Sequence, residues 1–141
     1  MSAASNVLPF ELADTDTGLV RLPEGEYCAV YEGHARVRIF RTMKLRVDFR
    51  LLAHPDLVLP RWYRIAAYSN GRVRAYPSSD IVREVSAVLG RRVRHDRIAV
   101  ASLAGLPLKV IVRTTTTDSK QRPLAEVNRY SLIERLVWRE L

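Results

Sequence analysis

The chain has a single cysteine, Cys28, which excludes an internal disulfide and a thiolate metal cluster and reads as a small apolar residue on a strand. No apolar run approaches the ~20 residues that a membrane-spanning helix requires, and no basic region followed by a hydrophobic one opens the chain, so neither anchor nor signal peptide is expected. The three histidines, His34, His54 and His95, are far apart and share no ligand spacing. Asp48, Asp56, Asp96 and Asp118 fall on scattered segments, no serine sits in a nucleophile elbow, and Gly71 stands alone where a phosphate loop would need several glycines. These absences argue against an enzyme and against a metal or cofactor.

What is abundant is arginine. The net charge is +8, and of 23 basic residues only Lys44, Lys109 and Lys120 are lysines. The charge is also uneven. Up to Glu32 there is one base, Arg21, against Glu11, Asp14, Asp16, Glu24, Glu26 and Glu32; the rest of the chain has twenty-two bases and nine acids, a surplus of thirteen. Such a body concentrates polyanions, and planar guanidinium forks suit phosphate better than point charges do. Residues 1–22 read as an acidic arm, and 23–141 as one domain large enough for a real core.

The pattern along that body is mostly β. Tyr27, Ala29 and Tyr31 alternate as a first strand, with Gly33 as its break. From His34, Ala35, Val37 and Ile39 alternate with Arg36 and Arg38. After Arg41 and Thr42, Met43, Leu45, Val47, Phe49 and Leu51 alternate with Lys44, Arg46, Asp48 and Arg50. Period-2 patterning of this kind predicts one long ribbon, aliphatic on one face and cationic on the other. Leu57 to Ile65 is a third strand, and Ser69, Asn70 and Gly71 are a turn. Pro77 to Asp80 announce a helix capped by serine, its Ile81, Val82, Val85, Val88 and Leu89 at helical spacing and Gly90 at its end. Leu108, Val110 and Val112 open another strand that Thr114 to Thr117 extend, Asp118 to Pro123 is a polar loop, and Arg129 to Trp138 reads as a strand at its start and as fraying chain or helix at its end.

The order β-β-β-α-β-β, mainly antiparallel with one central helix, predicts an OB-like, partly open barrel. Gly25 and Tyr27 on the first strand, Lys44 to Leu52 on the second, Leu59 to Tyr63 on the third, and Val112 to Asp118 with Arg129 to Ile133 late in the chain carry a resemblance over roughly Glu26 to Ile133. In these the chain resembles OB-fold single-stranded-DNA-binding proteins, most of all the small ones carried by phages and mobile elements. The resemblance implies a non-enzymatic protein of a bacterial or phage-infected cytoplasm that holds single strands, DNA or RNA, across its second and third strands.

Single-strand binders need cations along the phosphates and flat side chains under the bases. Arg36, Arg38, Lys44, Arg46, Arg50, Arg61, Arg64, Arg72 and Arg74 are candidates for the first role, Trp62 and Tyr63 for the second, with Tyr68 and Tyr76 as further aromatics. Because Trp62 and Tyr63 are adjacent on a strand, only one can face outward. The cluster Arg91 to Arg97 either extends the phosphate track or is a solvated loop in which His95 and Asp96 form local hydrogen bonds. The alternative function is that of a structural or assembly protein, whose barrel meets a second copy of the chain or an acidic protein partner.

Overall fold

The computed structural model describes residues 21–117, 121–125 and 129–139, so nearly all of the expected acidic arm and part of the polar loop after Thr117 lie outside the described residues. Among the described residues, seven strands and one α-helix follow in order. They are β1 (Gly25–Ile39), β2 (Thr42–Leu51), β3 (Val58–Arg64), β4 (Ala67–Ser69), β5 (Arg72–Arg74), α1 (Asp80–Leu89), a short 3-10 helix (Val100–Leu103), β6 (Leu108–Thr114) and β7 (Ser131–Arg139). The five longer strands form one antiparallel sheet in the order β3-β2-β1-β6-β7, and β4 and β5 form a separate hairpin. The sheet curls without closing. Its edge strands β3 and β7 approach each other with no ladder between them, and α1 packs on both. This is the expected partly open, OB-like barrel, with a small hairpin inserted before the helix.

The strand alternation of β2 places Leu45, Val47, Phe49 and Leu51 fully inside, where they meet Leu59 and Tyr63 of β3 and Leu108, Val110 and Val112 of β6. Ile81, Val82, Val85 and Val88 recur on one face of α1 and seal the core from below. Gly90 ends the helix in the left-handed conformation (φ 72), sending its N–H back to the Ser86 carbonyl at 2.9 Å. At the other end Ser79 holds the cap position but its hydroxyl makes no capping bond, contrary to expectation. Buried, and with no hydrogen-bond partner among the described residues, that hydroxyl lends the first turn no support, and Asp80 bonds Arg83 instead.

Four strand boundaries differ from the sequence reading, one of them at β6, which ends at Thr114 so that Thr115 to Thr117 do not extend it. The ribbon expected from His34 to Leu51 is two strands, because the chain reverses at Phe40 and Arg41 and brings Ile39 opposite Thr42. Gly33, expected to separate strands, lies within β1 at a bulge that shifts the register between Tyr31 and Gly33. The C-terminal segment is strand through to Arg139, held by its ladder to β6, and not helix at its end.

Candidate nucleic-acid interface

Residues directly opposite in an antiparallel ladder share a face. Between β2 and β3 the pairs alternate: Leu45 with Tyr63, Val47 with Arg61 and Phe49 with Leu59 face the interior, while Lys44 with Arg64, Arg46 with Trp62, Asp48 with Pro60 and Arg50 with Val58 face outward. Trp62 is therefore the outward aromatic, half-buried, with Arg46 across the ladder and the Lys44–Arg64 pair two residues along. Arg46 donates its Nε to the Asp48 carboxylate at 3.1 Å. Arg50 is engaged further, through Nε to Glu32 Oε1 at 2.9 Å and through a terminal nitrogen to the Pro55 carbonyl. The hydrogen bond to Arg50 holds the Glu32 carboxyl below its ordinary range. Lys44 and Arg64 have no carboxylate partner among the described residues.

The two-residue reversal at Phe40 and Arg41 decides which β1 residues join this face. Beyond Gly33, Ala35 lies opposite Arg46 and Val37 opposite Lys44, so the apolar residues of β1 take the outer face. Arg36 falls opposite Leu45 and Arg38 opposite Met43, on the other side of the sheet and exposed near the hairpin tip. Expected beside Lys44, Arg46 and Arg50, these two arginines point away from them. With Ile39 opposite Thr42, even-numbered residues of β1 beyond Gly33 lie opposite odd-numbered residues of β2, so the reversal places Arg36 and Arg38 on the face away from Lys44 and Arg46.

Arg61 and Tyr63 turn inward. Arg61 donates Nε and a terminal nitrogen to the two oxygens of Glu84 at 3.0 and 2.5 Å, and its side chain is only 11% exposed. The Tyr63 hydroxyl donates to Glu84 Oε1 at 2.7 Å, and the Arg61 guanidinium lies 4.4 Å from the Tyr63 ring centre. Burial, and then the adjacent carboxylate, push the Tyr63 phenol well above its ordinary pKa, so it stays a donor. Burial is the strongest single influence on the Arg61 guanidinium and works against its charge, but the hydrogen bond to Glu84 together with the charges of the surrounding Tyr63, Glu84 and Asp80 groups outweighs it, and the pKa is raised. Glu84 Oε1 also accepts the Leu136 backbone N–H at 2.9 Å. One helix carboxylate thus ties β3 to β7 where the sheet fails to close.

Arg72 and Arg74 leave the outer face as well. They flank buried Val73 on β5, in a hairpin turned by Asn70 (φ 52) and Gly71 (φ 75). Beneath that hairpin a polar chain runs from the Tyr31 hydroxyl to His34 Nδ1 at 2.5 Å and from His34 Nε2 to the Tyr68 hydroxyl at 3.0 Å. Burial lowers the His34 pKa and raises that of Tyr31, so near neutral pH a neutral imidazole links two phenols.

Two residues were not singled out in the sequence. Phe40, at the β1–β2 tip, is 84% exposed in the left-handed region (φ 57), which strains a bulky residue, and Arg38 and Arg41 flank it. No turn residue flags it. Glu84 left a fainter trace, since Ile81, Glu84, Val85 and Val88 share one helical stripe and a carboxylate in an apolar stripe needs a partner. Among the described residues no group of His, Cys, Asp and Glu could hold a metal ion, and no helix is long and apolar enough to cross a membrane. No protein-family model matches the chain, and no characterised protein aligns with it significantly.

Proposed function

We propose that the chain binds single-stranded nucleic acid, DNA first, along the outer face of β1, β2 and β3, and that it does so without catalysis. The observation that carries the reading is Trp62, an indole on an outward sheet face with Arg46 across the ladder and Lys44 and Arg64 beside it. An indole flanked by cations serves both halves of a nucleotide, stacking on the base while the cations meet the phosphates, and stacking is worth about 1 to 3 kcal/mol per base. Ala35, Val37 and Pro60 add a low apolar floor on which a splayed strand can lie. Asp48 and Glu32, the carboxylates bound to Arg46 and Arg50, compete with phosphate for those two guanidiniums. Phe40, exposed at the β1–β2 tip, is a further aromatic that a strand could meet.

Fluorescence anisotropy with labelled oligothymidylate, its RNA counterpart and a duplex of equal length, each over a salt series, tests this. Binding should favour single strands and weaken as salt rises, through counterion release. Equal affinity for duplex and single strand, or affinity indifferent to salt, would overturn the proposal in favour of an assembly protein whose barrel meets other proteins.

A further inference from the structure

The basic loop after α1 is fixed to the fold. The N–H groups of Gly90 and Arg91 reach the Ser86 carbonyl at 2.9 and 3.2 Å, and the Val93 N–H reaches the Ser86 hydroxyl at 3.1 Å. Further on, Ala75 donates its N–H to the His95 carbonyl at 2.7 Å, the His95 ring nitrogen Nδ1 lies 3.0 Å from the Ala75 carbonyl, and Val73 and Ile98 exchange two bonds of 2.9 Å. Laced in this way onto β5, the loop encloses with it a cleft of about 310 Å³ lined by Arg72, Arg91, Arg92, Arg94 and Arg97. The only carboxylate of the loop, Asp96, is taken by Arg94 at 2.9 Å. Arg72, Arg91, Arg92 and Arg97 have no carboxylate partner among the described residues.

We propose that this cleft is a second anion site, separate from the outer face, and that it takes a run of linked phosphates. A carbonyl-rich helix C-terminus attracts one or two cations and does not account for five. Guanidinium forks match phosphate oxygens in pairs. A single phosphate monoester carries about −1.5 to −2 at neutral pH and would leave half or more of the unpaired charge unmet, whereas linked phosphates meet it. The remaining lining is Val93, Ala99 and Ser102, with no aromatic, so the cleft offers nothing on which a base could stack and reads the phosphates alone. Linked phosphates have two sources: the backbone of a nucleic-acid strand, or a free polyphosphate chain such as the tail of a nucleoside triphosphate.

Titration calorimetry on the full chain with inorganic tripolyphosphate, inorganic phosphate and a long oligothymidylate tests the site and separates its sources. The parent should bind tripolyphosphate at least tenfold more tightly than phosphate. The exposed double substitution Arg92→Ser with Arg97→Ser should weaken tripolyphosphate tenfold or more, while Trp62→Ala leaves it unchanged. A backbone occupant is indicated if the double variant also weakens the long oligonucleotide tenfold, and a free polyphosphate if the oligonucleotide is unaffected. Should the double variant melt early, Arg92→Lys with Arg97→Lys keeps the charge without the fork and should give an intermediate loss. The inference falls if the double variant binds every probe as the parent does, or if the parent binds tripolyphosphate no more tightly than phosphate. Failure of the outer face to bind single strands would leave the tripolyphosphate result standing, so the two proposals fail separately.

Discussion

Replacing Glu84 by alanine tests how the open barrel is held together. The carboxylate accepts from two Arg61 nitrogens, the Tyr63 hydroxyl and the Leu136 N–H, so its loss leaves a cation, a phenol and a strand-edge amide unsatisfied together. Asp80, 3.6 Å from Arg61 and largely exposed, is a weak substitute. Removing one partner of a buried pair costs about 3 to 5 kcal/mol, a large part of the roughly 5 to 15 kcal/mol that holds a domain. Glu84→Gln keeps an acceptor for Tyr63 and Leu136 but not the charge, and should cost about half as much. Urea unfolding followed by tryptophan fluorescence gives both values, and an Arg61→Ala, Glu84→Ala cycle gives the coupling between them. A loss below about 1 kcal/mol for Glu84→Ala would refute the seam argument. So would an Arg61→Ala protein of parental stability whose oligonucleotide affinity had lost salt dependence, because Arg61 would then be a phosphate contact and not a structural one.

Trp62→Ala should weaken oligonucleotide binding by about 1 to 3 kcal/mol with its salt slope intact, while Arg46→Ala should lower that slope by about 0.7 and Arg36→Ala, on the opposite side of the sheet, should not; anisotropy over a salt series reads all three. Phe40→Asn places a residue that tolerates positive φ at the hairpin tip, so the thermal midpoint should hold or rise while affinity falls, a pair of opposite signs visible in one melting and one binding experiment. Burial depresses the His34 pKa, so below the unfolded value of about 6.5 the unfolded chain takes up the proton first: the stability His34 contributes is complete above that pH and is lost as pH falls through the lower folded value, a loss that urea midpoints should show in the parent and not in His34→Gln.

Local pattern made much of the fold legible. The alternation of Leu45, Val47, Phe49 and Leu51 and the helical recurrence of Ile81, Val82, Val85 and Val88 are the buried faces that their spacing implied. What escaped was punctuation without a punctuating residue. The chain reverses at Phe40 and Arg41, neither of which favours a turn, whereas Gly33, which looks like a break, is absorbed as a bulge. The sidedness of a strand depends on the count of residues between fixed points, so the two-residue reversal puts Arg36 and Arg38 on the face opposite Lys44 and Arg46, which a single continuous ribbon would have shared. Arg61 turns inward for another reason, in that its ladder partner Val47 faces inward and the helix carboxylate of Glu84 lets a cation follow it there. The short strands β4 and β5 are three residues each, too few for alternation to register.

The arginines therefore do not form one track. Arg36 and Arg38 lie on one side of the β1–β2 hairpin, Lys44, Arg46 and Arg64 on the other, and Arg72 with Arg91, Arg92 and Arg97 around the cleft. Exposed charges more than about 8 Å apart are largely screened at physiological salt, so such groups act as separate contacts and not as one field. The salt slope of single-strand binding then counts them. At about 0.7 per neutralised phosphate, a strand held by Lys44, Arg46 and Arg64 alone gives a slope near 2, and one that also fills the cleft through its four unpaired arginines gives a slope near 5. A slope near 2 with a short oligonucleotide, rising toward 5 as the strand lengthens, would mean that one strand wraps from the outer face to the cleft. A slope that stays near 2 at every length would leave the cleft to a free polyphosphate, and a slope near zero would remove the outer face from nucleic-acid binding altogether.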